Sequence, residues 1–302
     1  MAYFQGRTDL ALEAREFIEE ADGDVRGVIA EEYEIEESDI HITKVMITSK
    51  NGAKAMGKPI GTYVTLEAQG LMDPDDGYYR EVSSVIAKHI REIMPNEKEE
   101  KSILVVGLGN IDVTADALGP EVVNNLLITR HMIIQFGKAA YEKDKMNKIS
   151  AIIPGVMGKT GMESAEIVKG IVEETSPDVV VVIDALAARS TKRLNRTIQI
   201  TNTGIHPGSG VGNHRDALKL ESLGVPVIAI GIPTVVDAAT IVNDAIERIK
   251  KEIGQKELLF FGQGTGTLTE LNNMYVTAKD IDATIKRLSF TVSEGLNMAF
   301  EL

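Results

Sequence analysis

Two aspartates stand where solubility alone does not account for an acid. Asp184 ends the run Val-Val-Val-Val-Ile at 179–183, and burying an unpaired carboxylate costs on the order of several kcal/mol. Asp116 lies in GLGNIDVTADALGP, 107–120, directly after the apolar run 103–106. In an open parallel sheet, loops at the carboxyl ends of strands form the crevice where ligands bind, and both acids fall at such ends. Two carboxylates sharing a site cannot both ionise easily, so one would take a proton from water while the other, protonated, gives one to a carbonyl oxygen or leaving amine. The pair would titrate as a unit. The plainer readings are a carboxylate accepting backbone N–H groups at a following helix start for Asp184, and a helix N-cap for Asp116 with Pro120 in the first turn.

The residues around the acids fit the same chemistry. Gly107 and Gly109 let the backbone turn tightly or approach a ligand, and N–H groups from 107–110 or 208–212 could stabilise an oxyanion. Asn110 and Asp112 read as loop-shaping residues. A dinucleotide site is rejected, because the third glycine of G-x-G-x-x-G is replaced by Asp112 and no acid follows in strand context. His206, with Gly208, sits in TNTGIHPGSGVGN, 201–213, a loop after a strand; its role is either structural or supporting. Ser209 lacks a G-x-S-x-G elbow and no H-E-x-x-H helix exists, which disfavours a serine hydrolase or a zincin. His89 and His131 lie in helical patterns and read as packing or surface residues. An aspartate pair needs no cofactor, and none is expected. The alternatives are a divalent metal held by Asp116, Asp184 and His206, a crevice that binds peptide without cutting it, or a nucleotide- or tRNA-directed hydrolase.

The elements that must position these groups divide the 302-residue chain in two. Residues 1–100 read as an N-terminal α+β region packed on the core: a helix capped by Thr8 and Asp9, strands at 40–48 and 62–67 with an Asn51-Gly52 turn between them, and a helix over 81–93. Residues 101–302 read as the catalytic core. Apolar runs at 103–106, 149–153, 179–183, 198–200 and 225–232 are interleaved with helical patterns at 116–128, 162–173 and 238–253, and a last helix spans 280–300. Continuous β-branched runs alternating with amphipathic helices indicate a three-layer α/β/α fold with a mostly parallel sheet. Leu288, Val292, Leu296 and Phe300 form one face of the last helix, as core or interface, with core favoured.

Bulk properties narrow the classes. A net charge of −13 argues against a nucleic-acid surface, and its simplest role is solubility. No run of eighteen apolar residues predicts a membrane span, and the acidic start is unlike a signal peptide. The absence of cysteine removes disulfides and thiolate chemistry. A cytoplasmic location is expected.

The chain resembles the germination proteases of endospore-forming bacteria, which degrade small acid-soluble spore proteins. The resemblance rests on RTDLA (7–11), YVTLEAQG (63–70), 106–120, NLLITRH (125–131), PGVMGKTG (154–161), IDALAAR (183–189), TIQITNTGIHPGSGVGN (197–213) and VPVIAIGIPTVV (225–236). It implies an atypical aspartic endopeptidase whose catalytic acids are Asp116 and Asp184, a homotetramer, spore-protein substrates, and a zymogen with a short propeptide ahead of RTDLA, where six residues precede Arg7 here. The stretch between 253 and the last helix is shorter than in longer relatives. More distantly, GLGN…DALGP and IDAL are similar to the hydrogenase maturation proteases, which set acids and a histidine around nickel; His206 is a candidate for that histidine, and the resemblance leaves the assignment open.

Overall fold

The structure, a computed structural model, describes residues 9–20, 26–72, 77–95, 97–138, 146–207, 216–253, 271 and 274–301. Its strands are β1 (Val28–Ile35), β2 (Ile40–Ile47), β3 (Gly61–Ala68), β4 (Ser102–Gly107), β5 (Lys148–Ile152), β6 (Val179–Ala188), β7 (Thr197–Thr201), β8 (Val227–Asp237) and β9 (Tyr275–Val276). They form one sheet in the order β1-β2-β3-β7-β8-β6-β4-β5, with β9 paired to the end of β8. The strands β8, β6, β4 and β5 run parallel. β1, β2, β3, β7 and β9 join them antiparallel. The N-terminal strands are thus continuous with the core sheet through the β3–β7 pairing.

The helices are α1 (Ala11–Glu20), α2 (Lys50–Met56), α3 (Tyr78–Ile93), α4 (Leu118–Asn124), α5 (Arg130–Phe136), α6 (Met157–Thr160), α7 (Ser164–Thr175), α8 (Leu220–Leu223), α9 (Ala238–Ile253) and α10 (Ile281–Ala299). Strand side chains alternate between faces, and the two faces find different partners. Ile103, Val105, Val181 and Ile183 pack with Ile86 and Ile90 of α3, Leu118 and Val122 of α4, and Leu288, Val292 and Leu296 of α10. Leu104, Val106, Val180 and Val182 pack with Val168 and Val172 of α7 and Leu223 of α8. On this second face, α1 and α2 cover Val45, Ile47 and Tyr63. Covering both faces is what makes the core strands continuous apolar runs rather than alternating ones. Leu288, Val292, Leu296 and Phe300 are core, each contributing about 1.5–3 kcal/mol of burial.

Two local expectations change, and one strand had no expectation at all. Asn51-Gly52 does not turn; it lies in α2, whose start is capped by Ser49 accepting the Gly52 N–H at 3.0 Å. A Cβ on Gly52 would come 2.7 Å from the Gly27 carbonyl oxygen, so the glycine serves close approach. The helix expected over 116–128 is broken into a 3-10 turn, Thr114–Asp116, and α4, with α5 following. β1 carried no apolar periodicity, because it is an edge strand largely open to solvent with Glu31, Glu32 and Glu34 along it. Charges on such an edge oppose pairing with other chains.

Candidate functional site

The site grows from the place where β4 leaves the sheet. Gly107 is the last residue of β4 paired with β6, opposite Ile183, and the Leu108 N–H donates to the Ile183 carbonyl at 2.8 Å. β6 continues, paired from there with β8 alone: Asp184 lies opposite Gly231 and Ala185 opposite Ile232, with an irregularity after Leu186. Asp184 therefore sits inside a strand rather than beyond one. The apolar run ends at 183 because from 184 onward the strand has lost β4 and borders the crevice. The Asp184 residue is 6% exposed and its Oδ1 accepts the Ala185 N–H at 3.0 Å. β6 runs on for four residues past it, so no helix start is there for it to cap.

Asp116 approaches the same rim from the β4–α4 loop. Its Oδ2 accepts the Asn110 N–H at 2.8 Å, while Asn110 Oδ1 accepts the Asp112 N–H at 3.2 Å; Asn110 shapes the loop, as its type implies. No side chain caps α4, so the N-cap reading of Asp116 does not hold. Gly109 has φ +118°, and a Cβ there would lie 1.9 Å from the Asp116 carbonyl oxygen. A Cβ on Gly107 would lie 2.3 Å from the Gly119 oxygen, and one on Gly119 would meet the Leu108 oxygen at 2.3 Å and the Ile183 oxygen at 2.7 Å. These glycines let α4 and its preceding turn settle against β4 and β6. Thr234 of β8 ties the turn down, its hydroxyl donating to the Ala115 carbonyl at 2.6 Å. Asp112 forms an ion pair with Lys159 of α6, linking the loops after β4 and β5.

On the Asp184 side of the sheet, a pocket opens across β8, β7 and β3. Leu186, Gly231, Gln199 and Tyr63 line it, together with Lys58 and His206. Lys58 Nζ donates to the Asp9 carbonyl at 2.8 Å. Burial holds the Lys58 ammonium below its ordinary pKa, opposed by the charges of Asp9 and Glu13. Burial, then the charges of Lys219 and Lys58, likewise lower the His206 imidazole. Asp9 and the first turn of α1 are stapled beside this pocket. Asp9 Oδ2 accepts the Ala187 N–H at 3.1 Å, Gln199 Oε1 accepts the Ala11 N–H at 2.6 Å, and Glu13 accepts the Arg189 and Ser190 N–H groups at 2.9 and 3.1 Å. Sequence reasoning missed Lys58, Gln199 and Glu13, since a single lysine in a turn or glutamine in a strand carries no local signal. The DLA of RTDLA was the one pointer to this wall.

Gly107, Gly109, Asn110, Asp116 and Asp184 thus gather at one end of the parallel strands. His206 lies on the pocket side, beyond β8 and β7, where the neighbouring Ile205 bridges Leu218. Among the described residues, no group of three or more His, Asp or Glu side chains is arranged to hold a metal ion. His206 follows β7, with β8 between that strand and β6. Gly208 and the rest of 208–215 lie outside the described residues, as does 254–270. No helix among the described residues is long and apolar enough to cross a membrane.

The germination protease family model matches residues 6–258. A germination protease of Caldanaerobacter subterraneus subsp. tengcongensis is 48% identical, over 98% of this chain and 94% of that protein. One of Clostridium perfringens is 45% identical over 98% and 95%, and one of Bacillus cytotoxicus 41% over 97% and 93%. Among solved structures, a NiFe hydrogenase maturation protease from Thermococcus kodakarensis KOD1 aligns with 71% of this chain and 99% of its own, at 16% identity and a TM-score of 0.33; a likeness at that level carries no argument about the site. With near-complete coverage at such identities, the chain belongs to the germination protease family.

Proposed function

We propose that this chain is an endopeptidase that hydrolyses peptide bonds with Asp116 and Asp184 as its acid–base pair, and that it degrades small acid-soluble spore proteins during germination. Family membership supports the protease reading. The observation that carries the residue assignment is the nearly buried Asp184 at the strand rim, with the Asp116 turn held against β6 and β8 by close-approach glycines and by Thr234.

In this reading the ionised aspartate takes a proton from water as its oxygen attacks the scissile carbonyl. The protonated partner gives its proton to the carbonyl oxygen. The aspartate that took the proton from water then passes it to the leaving amine as the C–N bond breaks, and the partner recovers a proton from a hydroxyl of the tetrahedral intermediate. Which acid starts protonated belongs to the pair rather than to either residue. The oxyanion donors expected from 107–110 narrow, because the Leu108 and Asn110 N–H groups already serve Ile183 and Asp116; the Gly109 N–H is the donor we assign. Acid–base work supplies about 10²–10⁴-fold, and positioning in the pocket beside Asp184 supplies much of the rest. A homotetramer in the spore cytoplasm, derived from a zymogen, goes with the same reading.

The test is turnover of a small acid-soluble spore protein by Asp116→Asn and Asp184→Asn, with folding checked by circular dichroism. Each substitution should lower kcat by about 10²–10⁴-fold with the substrate still bound. Wild-type turnover in either folded variant ends the pair mechanism. Binding without cleavage by the unmodified, fully processed protein would instead favour a peptide-binding role.

A further inference from the structure

A second cavity, of about 370 Å³, opens at the opposite end of the parallel strands from the aspartates. Its walls are the start of β4, the start of β5, the end of α7 and the first turn of α5, contributing Lys98, Lys101, Arg130 and Lys148 along with Glu100 and Asp178. On a chain of net charge −13, this concave surface carries four cations against two carboxylates.

Both carboxylates are already committed. Asp178 pairs with Lys98 and accepts the Ser102 N–H at 2.8 Å through its other oxygen. Burial opposes its ionisation, yet the Lys98 and Ser102 bonds and the charges of Lys98 and Lys101 outweigh that and keep its pKa below the ordinary carboxylate value. Glu100 pairs with Lys138 and accepts the Met146 N–H at 3.2 Å. Lys101, Arg130 and Lys148 have no carboxylate within ion-pair distance among the described residues. Buried Met146 supplies an apolar patch on one wall, and exposed Ile134 lines the cavity as well. Arg130 and Lys148, the first with its planar fork of donors, stand beside Lys101, whose ammonium donates to the Lys98 carbonyl and acts on Asp178. Together these cations around one concavity match an oxyanion with several acceptor oxygens.

We propose that this cavity binds a small phosphoryl dianion, as inorganic phosphate or as the phosphomonoester of a small molecule. The volume admits more than a bare phosphate, which leaves room for an ester's organic part beside Met146 and Ile134. Because the site joins β4, β5, α5 and α7 at their far ends, an occupant stabilises the folded state by mass action without touching the aspartates.

The experiment is calorimetric titration of the whole protein at fixed ionic strength, with inorganic phosphate, glycerol phosphate and, as a neutral control, glycerol. Saturable one-to-one binding of phosphate or the ester, with none of glycerol, is expected. The Arg130→Gln/Lys148→Gln double variant should weaken it at least about tenfold, corresponding to 1.4 kcal/mol, while Lys169→Gln, on the exposed side of α7, should leave it unchanged. Tighter binding of the ester identifies the organic phosphate as the occupant, and equal binding identifies the free ion. No saturable binding of either anion, or equal binding by the folded double variant, overturns the proposal. A rise in melting temperature with phosphate in the unmodified protein and not in the double variant gives an independent check.

Discussion

Replacing Gly119 by alanine sets two forces against each other. Gly119 is the second residue of α4, and helix propensity alone favours alanine there by up to about 1 kcal/mol. The new methyl would, however, sit 2.3 Å from the Leu108 oxygen, 2.6 Å from the Leu108 nitrogen and 2.7 Å from the Ile183 oxygen, all backbone atoms at the β4–β6 rim. Ordinary contact begins at 3.4 Å, so α4 and the turn before it must retreat by about 1 Å. Overpacking of that size costs about 1–3 kcal/mol, which leaves a net loss of up to about 2 kcal/mol after the full propensity gain. The retreat also carries Asp116 away from β6, and a misplacement of about 1 Å costs on the order of 10²-fold in kcat/KM. Urea unfolding and peptide hydrolysis on the same preparation read both quantities. A Gly119→Ala protein with an unchanged or raised urea midpoint and full turnover would refute the claim that close backbone approach sets the aspartate geometry.

Other outcomes follow from the same geometry. Exhaustive treatment with EDTA or phenanthroline should leave hydrolysis intact; loss of activity restored by one metal ion would bring the metal reading back. Thr234→Val removes the hydroxyl that holds the Ala115 carbonyl. It should cost about 1 kcal/mol and several-fold in kcat, and unaffected kinetics would show that the turn needs no such anchor. His89 is buried between Tyr33, 3.1 Å from Nε2, and Glu92, 3.0 Å from Nδ1. Burial lowers its pKa, with the Glu92 hydrogen bond and charge opposing and Lys88 and Lys44 adding to the drop. The folded protein therefore resists protonating it, so the unfolded state binds more protons between the folded value and about 6.5. Stability should be full above about pH 6.5 and fall as pH drops through that window. Denaturant midpoints across the window should be flatter for His89→Gln; identical slopes would assign the pH dependence elsewhere.

What was legible in the sequence tracked how local the cause was. The runs 103–106 and 179–183 announced β4 and β6 because burial on both faces writes a continuous apolar string. Asp184 stood out for the same reason, as an acid interrupting that string. Its place within β6 was not legible, since β6 continues only by pairing with β8, and Ala185–Ala188 read alone as the start of a helix. The break after Asp116 depends on Thr234, over a hundred residues away, and on Gly107 facing Gly119. The pocket beside Asp184 is built from β3, β7, β8 and the segment ahead of α1. Its lysine, glutamine and histidine come from distant stretches that only the folded sheet makes neighbours. β1 was missed because a strand exposed along an edge has little apolar pattern to show.

The pairing of β3 with β7 has a consequence for how the chain is made. Residues 63–67 must wait for 197–201, about 130 residues later, which at ribosomal rates of roughly 5–20 residues per second is on the order of ten seconds. Throughout that interval the emerging β1–β2–β3 meander has one flank, β1, guarded by glutamates, and the other, the β3 edge, with its backbone unpaired until β7 is made. The exposed edge of this sheet is thus longest without its partner before the second half of the chain has left the ribosome.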